Sequence, residues 1–267
     1  MTESSSAPLF NAGAAVYDSF KFLHAAADLA AEKADLVPGE QVLDIACGSG
    51  RTTIVAAGLV GESGHVAGID IADKLLDVAR EKTEAAGLSN TDYRVMDAAD
   101  LDFSDGSFDA VLCGSSLFLF KEIPDVLREW VRVLKPGGRM VITTFGEDIF
   151  QPVISFISQR LATYTDVEFP APVSAVTDTP EKCRDLLEAA GLRDSDVRIE
   201  QTEFFADNAE DCWRQVASSL IVRPRLAVLG KDERARMKSE ILPELEKLVT
   251  PQGIPVTVPV IVSIAQK

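Results

Sequence analysis

Apolar and polar positions alternate along this chain in blocks of two kinds. Residues 41–46, 65–70, 92–96, 108–113 and 139–144 read as short strands. Residues 51–59, 74–86 and 125–134 carry longer segments with helical spacing. Gly87 stands just past the second of these, and Lys135-Pro136-Gly137-Gly138 follows the third, both ordinary helix-stop signals. Strand and helix in strict succession predict a parallel sheet with right-handed crossovers. The fourth run is nearly all apolar, as expected when helices cover both faces of a sheet. Ahead of this block, residues 11–34 are Ala-rich, and Val16, Phe20 and Leu23 fall at helical spacing, which predicts one or two helices. Behind it the pattern loosens. Helices are expected at 181–190, 209–220 and 231–249, and strands at 197–205 and 256–265.

The first strand runs into Asp44-Ile45-Ala46-Cys47-Gly48-Ser49-Gly50. A G-x-G turn at the carboxyl end of a first parallel strand lets the backbone bend sharply and approach a ligand. Helix amides beginning near Arg51 would face that ligand. Asp70 ends the second strand, 20 residues beyond Gly50, where a carboxylate can accept from two ribose hydroxyls. Asp97-Ala98 ends the third, placed for an adenine amine, and Cys113-Gly114-Ser115 ends the fourth, beside the expected switch point. The dinucleotide fingerprint needs a third glycine where this chain has Thr53, and a pyrophosphate would be repelled by Asp44. A ligand bearing an ammonium and a sulfonium would be attracted to it. That points to S-adenosylmethionine and away from NAD.

Composition narrows the partners. The 267 residues carry a formal charge of -16 and no basic block, which argues against nucleic acid. A small-molecule acceptor is expected instead. The apolar runs at 108–120 and 254–265 are too short to span a bilayer, and the polar, Ser-rich start does not resemble a leader. Four cysteines without C-x-x-C spacing read as free thiols in a cytoplasmic protein. With two histidines, His24 and His65, no metal site is expected. Oligomeric state stays open, a homodimer being admitted.

The segments VLDIACGSG, HVAGIDIADKLL, YRVMDAADLDF, SFDAVLC and VLKPGGRMVITTF resemble, in order and spacing, the motifs of class I S-adenosylmethionine-dependent methyltransferases of the ubiquinone/menaquinone-biosynthesis type. The resemblance covers about residues 40–148. It implies an α/β fold, a doubly wound, Rossmann-like sheet of seven strands, mostly parallel with an antiparallel last strand, plus a helical lid and cap. It further implies that Asp44, Ala46, Gly48 and Gly50 line the methionine moiety and that Asp70 holds the ribose. Ile71 and Leu75 would pack near the adenosine, Asp97 and Ala98 would meet the adenine, and Cys113 would offer backbone near the amino acid part. The Ala15-Val16-Tyr17-Asp18 stretch resembles the N-terminal lid of that family, which places Tyr17 against the cofactor. The family carries glycine in many members where this chain has Ala46. The expected organisation is a single domain: a lid at 1–38, a cofactor-binding core at 39–148, and a C-terminal half at 149–267 with a helical cap inserted between about 207 and 250.

Methyl transfer is an in-line displacement that asks for alignment and dryness, and a phenol or enol acceptor gains from a base. His24 lies seven residues after Tyr17, with Phe20 between them. The expectation is that one helical face presents Tyr17 to the cofactor and His24 to the acceptor. Phe118, Phe120, Phe145, Phe150, Phe156, Phe204, Phe205 and Trp213 would form an apolar lid for an aromatic, polyketide, terpenoid or quinone-like acceptor. The run Ser116 to Phe120 lacks the paired polar residues of amino-methylating relatives, which leaves oxygen and carbon nucleophiles. Two other readings compete: a non-methylating binding module or rearrangement catalyst on the same fold, and an NAD-dependent oxidoreductase.

Overall fold

A computed structural model describes residues 6–267; Met1 to Ser5, the first five residues of the expected lid, lie outside the described residues. Seven strands, β1 (Gln41–Ile45), β2 (His65–Asp70), β3 (Thr91–Val95), β4 (Phe108–Gly114), β5 (Leu134–Phe145), β6 (Arg193–Ala206) and β7 (Ile254–Gln266), form one sheet. Its order is β3-β2-β1-β4-β5-β7-β6. The pairs from β3 through β5 are parallel, and β7 runs antiparallel to both β5 and β6. The chain therefore walks outward from β1 to β3, then returns to β4 on the other side of β1. A crevice opens between β1 and β4 at their carboxyl ends, where sheets of this type bind ligands.

Ten helices cover the two faces among the described residues: α1 (Ala7–Gly13), α2 (Phe22–Glu32), α3 (Arg51–Val60), α4 (Asp73–Ala85), α5 (Ile123–Val133), α6 (Val153–Leu161), α7 (Pro180–Ala189), α8 (Ala209–Ala217), α9 (Arg223–Leu226) and α10 (Lys231–Glu246). Period-two alternation decides what each strand buries. Val42, Val66, Leu112 and Val141 belong to one core with α2, α3, α6, α8 and α10. Leu43, Ile45, Ile69, Val111 and Ile142 belong to the other, with α5 and α7. Three elements differ from those expected, two of them for local causes. Helix α6 starts behind Pro152 in a β-branched stretch, V-I-S-F-I, that carries no clear helical pattern. Strand β5 includes the Lys135 to Gly138 turn, because Gly138 leaves room beside the Asp109 and Lys135 carbonyls that a Cβ would enter at 3.0 and 2.9 Å. Helix α8 stops at Ala217, and the chain turns through 218–222 before the short α9.

Gly50 shows why the first turn needs glycine. Its φ is +79°, and an added Cβ would lie 2.8 Å from the Tyr93 hydroxyl and 2.9 Å from Ala79 Cβ. Gly50→Ala combines left-handed strain with overpacking, so a loss of about 3 kcal/mol is expected in urea unfolding. An unchanged midpoint would contradict this packing.

Candidate active site

Strands β1, β2 and β4 end around two cavities. The larger, of about 430 Å³, is bordered by Tyr17, Ala46, Asp70, Ile71, Leu75 and Ser115 at its inner end. Leu9, Phe10, Val16, Phe20, Phe118, Leu119, Phe145, Ile149, Phe150 and Ile221 make most of the rest of its wall apolar. The smaller, of about 40 Å³, is polar and is lined by Asp18, His24, Asp44, Ser49, Arg51 and Thr52 among others. Tyr17, Leu23, Ala46, Gly114 and Ser115 border both and form the partition between them.

Backbone strain is concentrated at this partition. Ala46 (φ 51°) and Ser115 (φ 60°) adopt the left-handed conformation at the ends of adjacent strands. A glycine would take that conformation without the strain that Ala46 bears. The Ser115 hydroxyl is buried with no hydrogen-bond partner among the described residues.

Two buried carboxylates face the site. Asp44 is 1% exposed; its Oδ2 accepts from Thr53 Oγ1 at 2.6 Å, and its Oδ1 has no partner among the described residues. Burial, with Asp70 adding repulsion, pushes its pKa up to about 7. Asp70 accepts from the amides of Gly48 at 2.9 Å and Ala72 at 2.8 Å. Burial still raises its pKa above the usual range. The neighbouring cations are committed elsewhere: Arg51 pairs with Asp28 at 2.7 Å and Lys82 with Asp18 at 3.0 Å. A cationic group entering beside Asp44 would complete an arrangement that is short of positive charge.

The chain ahead of α2 closes over the site. A 3₁₀ turn, Ala14–Ser19, sets the Tyr17 ring against Gly48, where an added Cβ would come within 3.3 Å of it. Burial, then Asp70, holds the Tyr17 hydroxyl protonated far above neutral pH. Asp18 accepts from Ser49 Oγ and from Lys82, and Asn11 Nδ2 donates to Asp73 at 2.7 Å. At the junction to α2, the buried Gln215 accepts from Lys21 N at 3.0 Å and donates to Ser19 O at 2.8 Å. These contacts clip the N-terminal segment to the glycine turn on one side and to α8 on the other.

The expected residues divide into three groups. Tyr17, Ala46, Asp70, Ile71 and Leu75 meet at the large cavity, and Asp44 joins Tyr17 and Ala46 at the small one. Gly48, Gly50, Asp97, Ala98 and Cys113 line neither. Gly48 lies beneath Tyr17, and the side-chain position of Gly50 faces Ala79 and Tyr93. Ala98 is buried, its carbonyl accepting from Trp130 Nε1 at 2.8 Å.

His24 departs from expectation. The helical path breaks at Phe20 (φ -84°, ψ 89°), so Tyr17 and His24 do not share one helical face. His24 Nε2 pairs with the Asp18 carbonyl at 3.0 Å, and the ring lines the small polar cavity instead of the apolar chamber. Burial and the Arg51 charge lower its pKa, which keeps it neutral. Of the eight expected aromatic lid residues, Phe118, Phe145 and Phe150 line the chamber. Phe10, Phe20 and Phe22 do so as well, and the sequence pattern had placed the first and last of these in no role.

A methyltransferase-domain family model matches residues 36–202, more than half of the chain. A demethylmenaquinone methyltransferase of Bacillus cereus is 41% identical over 110 residues, which is 40% of this chain and 45% of that protein. The chain thus spans about half the length of the curated relatives it matches. YcgJ of Bacillus subtilis superimposes with a TM-score of 0.59 at 19% identity, over 91% of this chain and 98% of that one. The cyclase SpnF gives 0.60 at 18% identity, over 100% and 96%. Among the described residues no helix is long and apolar enough to cross a membrane, and no cluster of His, Cys, Asp and Glu is placed to hold a metal. The matched motifs, the strand order with its antiparallel β7 and the glycine turn beneath Tyr17 agree: this chain belongs to the class I S-adenosylmethionine-dependent methyltransferases.

Proposed function

We propose that this protein transfers the methyl group of S-adenosylmethionine to an oxygen or carbon nucleophile of a small, largely apolar acceptor. The observation that carries this reading is the continuity of the large cavity, whose inner end holds Asp70, Ile71 and Leu75 and whose remainder is walled by aromatic and aliphatic side chains. The buried carboxylates support the cofactor assignment, because Asp44 Oδ1 has no partner among the described residues and both groups gain from a nearby cation.

S-adenosylmethionine, when bound, supplies an electrophilic methyl group on a sulfonium. Asp44 receives the ammonium, with Ala46, Gly48 and Gly50 giving the turn its shape and Cys113 offering backbone beside it. Asp70 holds the ribose, Ile71 and Leu75 flank the adenosine, and the Asp97-Ala98 loop meets the adenine. Tyr17 covers the glycine turn as the inner face of a lid within residues 1–38, over a core at 39–148 and a half at 149–267 that contributes the cap helices. Phe118, Phe145 and Phe150 exclude water, so that catalysis rests on alignment of the reactants in a dry site. The Ser115 hydroxyl, at the partition, is available to hold an acceptor oxygen.

Calorimetric titration with S-adenosylhomocysteine, with NAD as control, tests the cofactor. Micromolar binding that Asp70→Ala abolishes is expected, and tighter binding of NAD would overturn the assignment. A screen of phenols, quinols and enols then tests transfer. Cofactor binding with no transfer to any acceptor would instead favour the non-methylating reading. His24→Ala is expected to keep turnover within about twofold at saturating acceptor, since His24 lines the small polar cavity and not the apolar chamber. A loss of two or more decades would restore His24 as a base.

A further inference from the structure

The large cavity carries a cation at its rim that the proposed chemistry leaves unused. Between α8 and α9 the chain turns through Ser218, Ser219, Leu220 and Ile221, all on the cavity wall, and reaches Arg223. This turn is braced from within. Arg223 N donates to Ser219 O at 2.9 Å, and Val222 N donates to Ser219 Oγ at 3.2 Å. Ser219 and Val222 are both buried, so the backbone that presents Arg223 is held in place.

Two charged side chains line this cavity among the described residues, Asp70 at the inner end and Arg223 at the other. Arg223 is exposed and forms no ion pair among the described residues, whereas Arg214 on α8 is tied to Asp211 and to Ser19. On a chain of formal charge -16, Arg223 is the one cationic side chain lining this chamber among the described residues, and it has no carboxylate paired with it there. Guanidinium binds planar oxyanions through paired, charge-assisted hydrogen bonds. One guanidinium balances one carboxylate, while a dianionic phosphate would leave net negative charge on an acidic surface.

From this geometry we infer that the acceptor is an amphipathic carboxylate. Its apolar body fills the chamber, its reacting atom faces the inner end beside Ser115, and its carboxylate meets Arg223 at the rim. The inference rests on the acceptor reading of the cavity, and it adds a charge requirement that the aromatic and aliphatic walls do not set.

Naphthylacetate and naphthylethanol share an apolar body and differ in charge, so a fluorescence titration with the pair isolates the role of Arg223. The wild-type protein is expected to bind naphthylacetate about tenfold more tightly. Arg223→Gln should make the two probes equal by weakening the acid alone, and Arg223→Lys should retain part of the preference. Arg225→Gln, two residues on and outside the cavity lining, should leave the preference intact. Added salt should shrink it, since the rim is open to solvent. Equal binding of the two probes by wild type, or a preference that survives in Arg223→Gln, overturns the carboxylate inference and leaves the apolar-acceptor reading standing. Failure of both probes to bind overturns the two together, while the titration with S-adenosylhomocysteine still reports on the cofactor.

Discussion

Asp44→Asn is expected to give a protein that is more stable than its parent above neutral pH and that no longer binds S-adenosylhomocysteine. The reason is that Asp44 is buried, has no partner for Oδ1 among the described residues and has its pKa pushed up to about 7. An acid whose folded pKa lies above its unfolded value of 3.8 contributes stability that is fully present below 3.8. That contribution is lost as pH rises through 7. The shift corresponds to about 4 kcal/mol at full ionisation, at 1.36 kcal/mol per unit. Asparagine does not ionise, and its amide keeps the Thr53 contact while leaving one buried N–H group unpaired, a cost of about 1–3 kcal/mol. A net gain of about 2 kcal/mol is therefore expected at about pH 9, shrinking toward zero or below in acid. Binding should follow the opposite course. A bound ammonium favours the ionised carboxylate, so below pH 7 the wild-type protein must release a proton to bind, and affinity should fall by up to about tenfold per pH unit. Urea unfolding across this range, with titrations in two buffers of different ionisation enthalpy, reads both effects. A variant that is less stable at every pH, or that binds as tightly as the parent, would remove Asp44 from the ammonium site.

Trp130→Ala is expected to cost about 3–5 kcal/mol, the range for truncating a buried tryptophan. Trp130 on α5 is completely buried, packs edge-on against Phe120 with ring centroids 5.5 Å apart, and donates Nε1–H to the Ala98 carbonyl. Trp130→Phe separates packing from the hydrogen bond. It keeps most of the ring but strands a buried carbonyl, for about 1–2 kcal/mol. Because that carbonyl belongs to the Asp97-Ala98 loop, Trp130→Phe should also weaken S-adenosylhomocysteine severalfold. An alanine variant within about 0.5 kcal/mol of wild type would show that α5 is not anchored through this residue.

The central part of the fold was readable because its signals are local. The strand-length runs at 41–46, 65–70 and 108–113 gave β1, β2 and β4 nearly to the residue, and Gly87 marked the end of α4. Helix α6 was not readable, since its β-branched sequence fits helix and strand equally and tertiary packing of Val153, Ile157 and Leu161 decided the outcome. The same distinction runs through the site. Acidic residues at strand ends announce themselves by position, whereas the non-helical backbone at Phe20, which turns His24 toward the small cavity, leaves no trace in residue spacing.

The sequence by itself therefore determined the strand and helix succession, the glycine turn, the acidic strand ends and the preference for a cationic cofactor, because each depends on residues within about one turn or one strand of each other. Tertiary structure alone decided that Asp44 and Asp70 share a buried site, that Tyr17 covers Gly48, and that Arg223 stands at the rim of the chamber. Those arrangements join segments far apart in the chain. Desolvation and the distances between such segments exist only once the two cores have closed on the sheet.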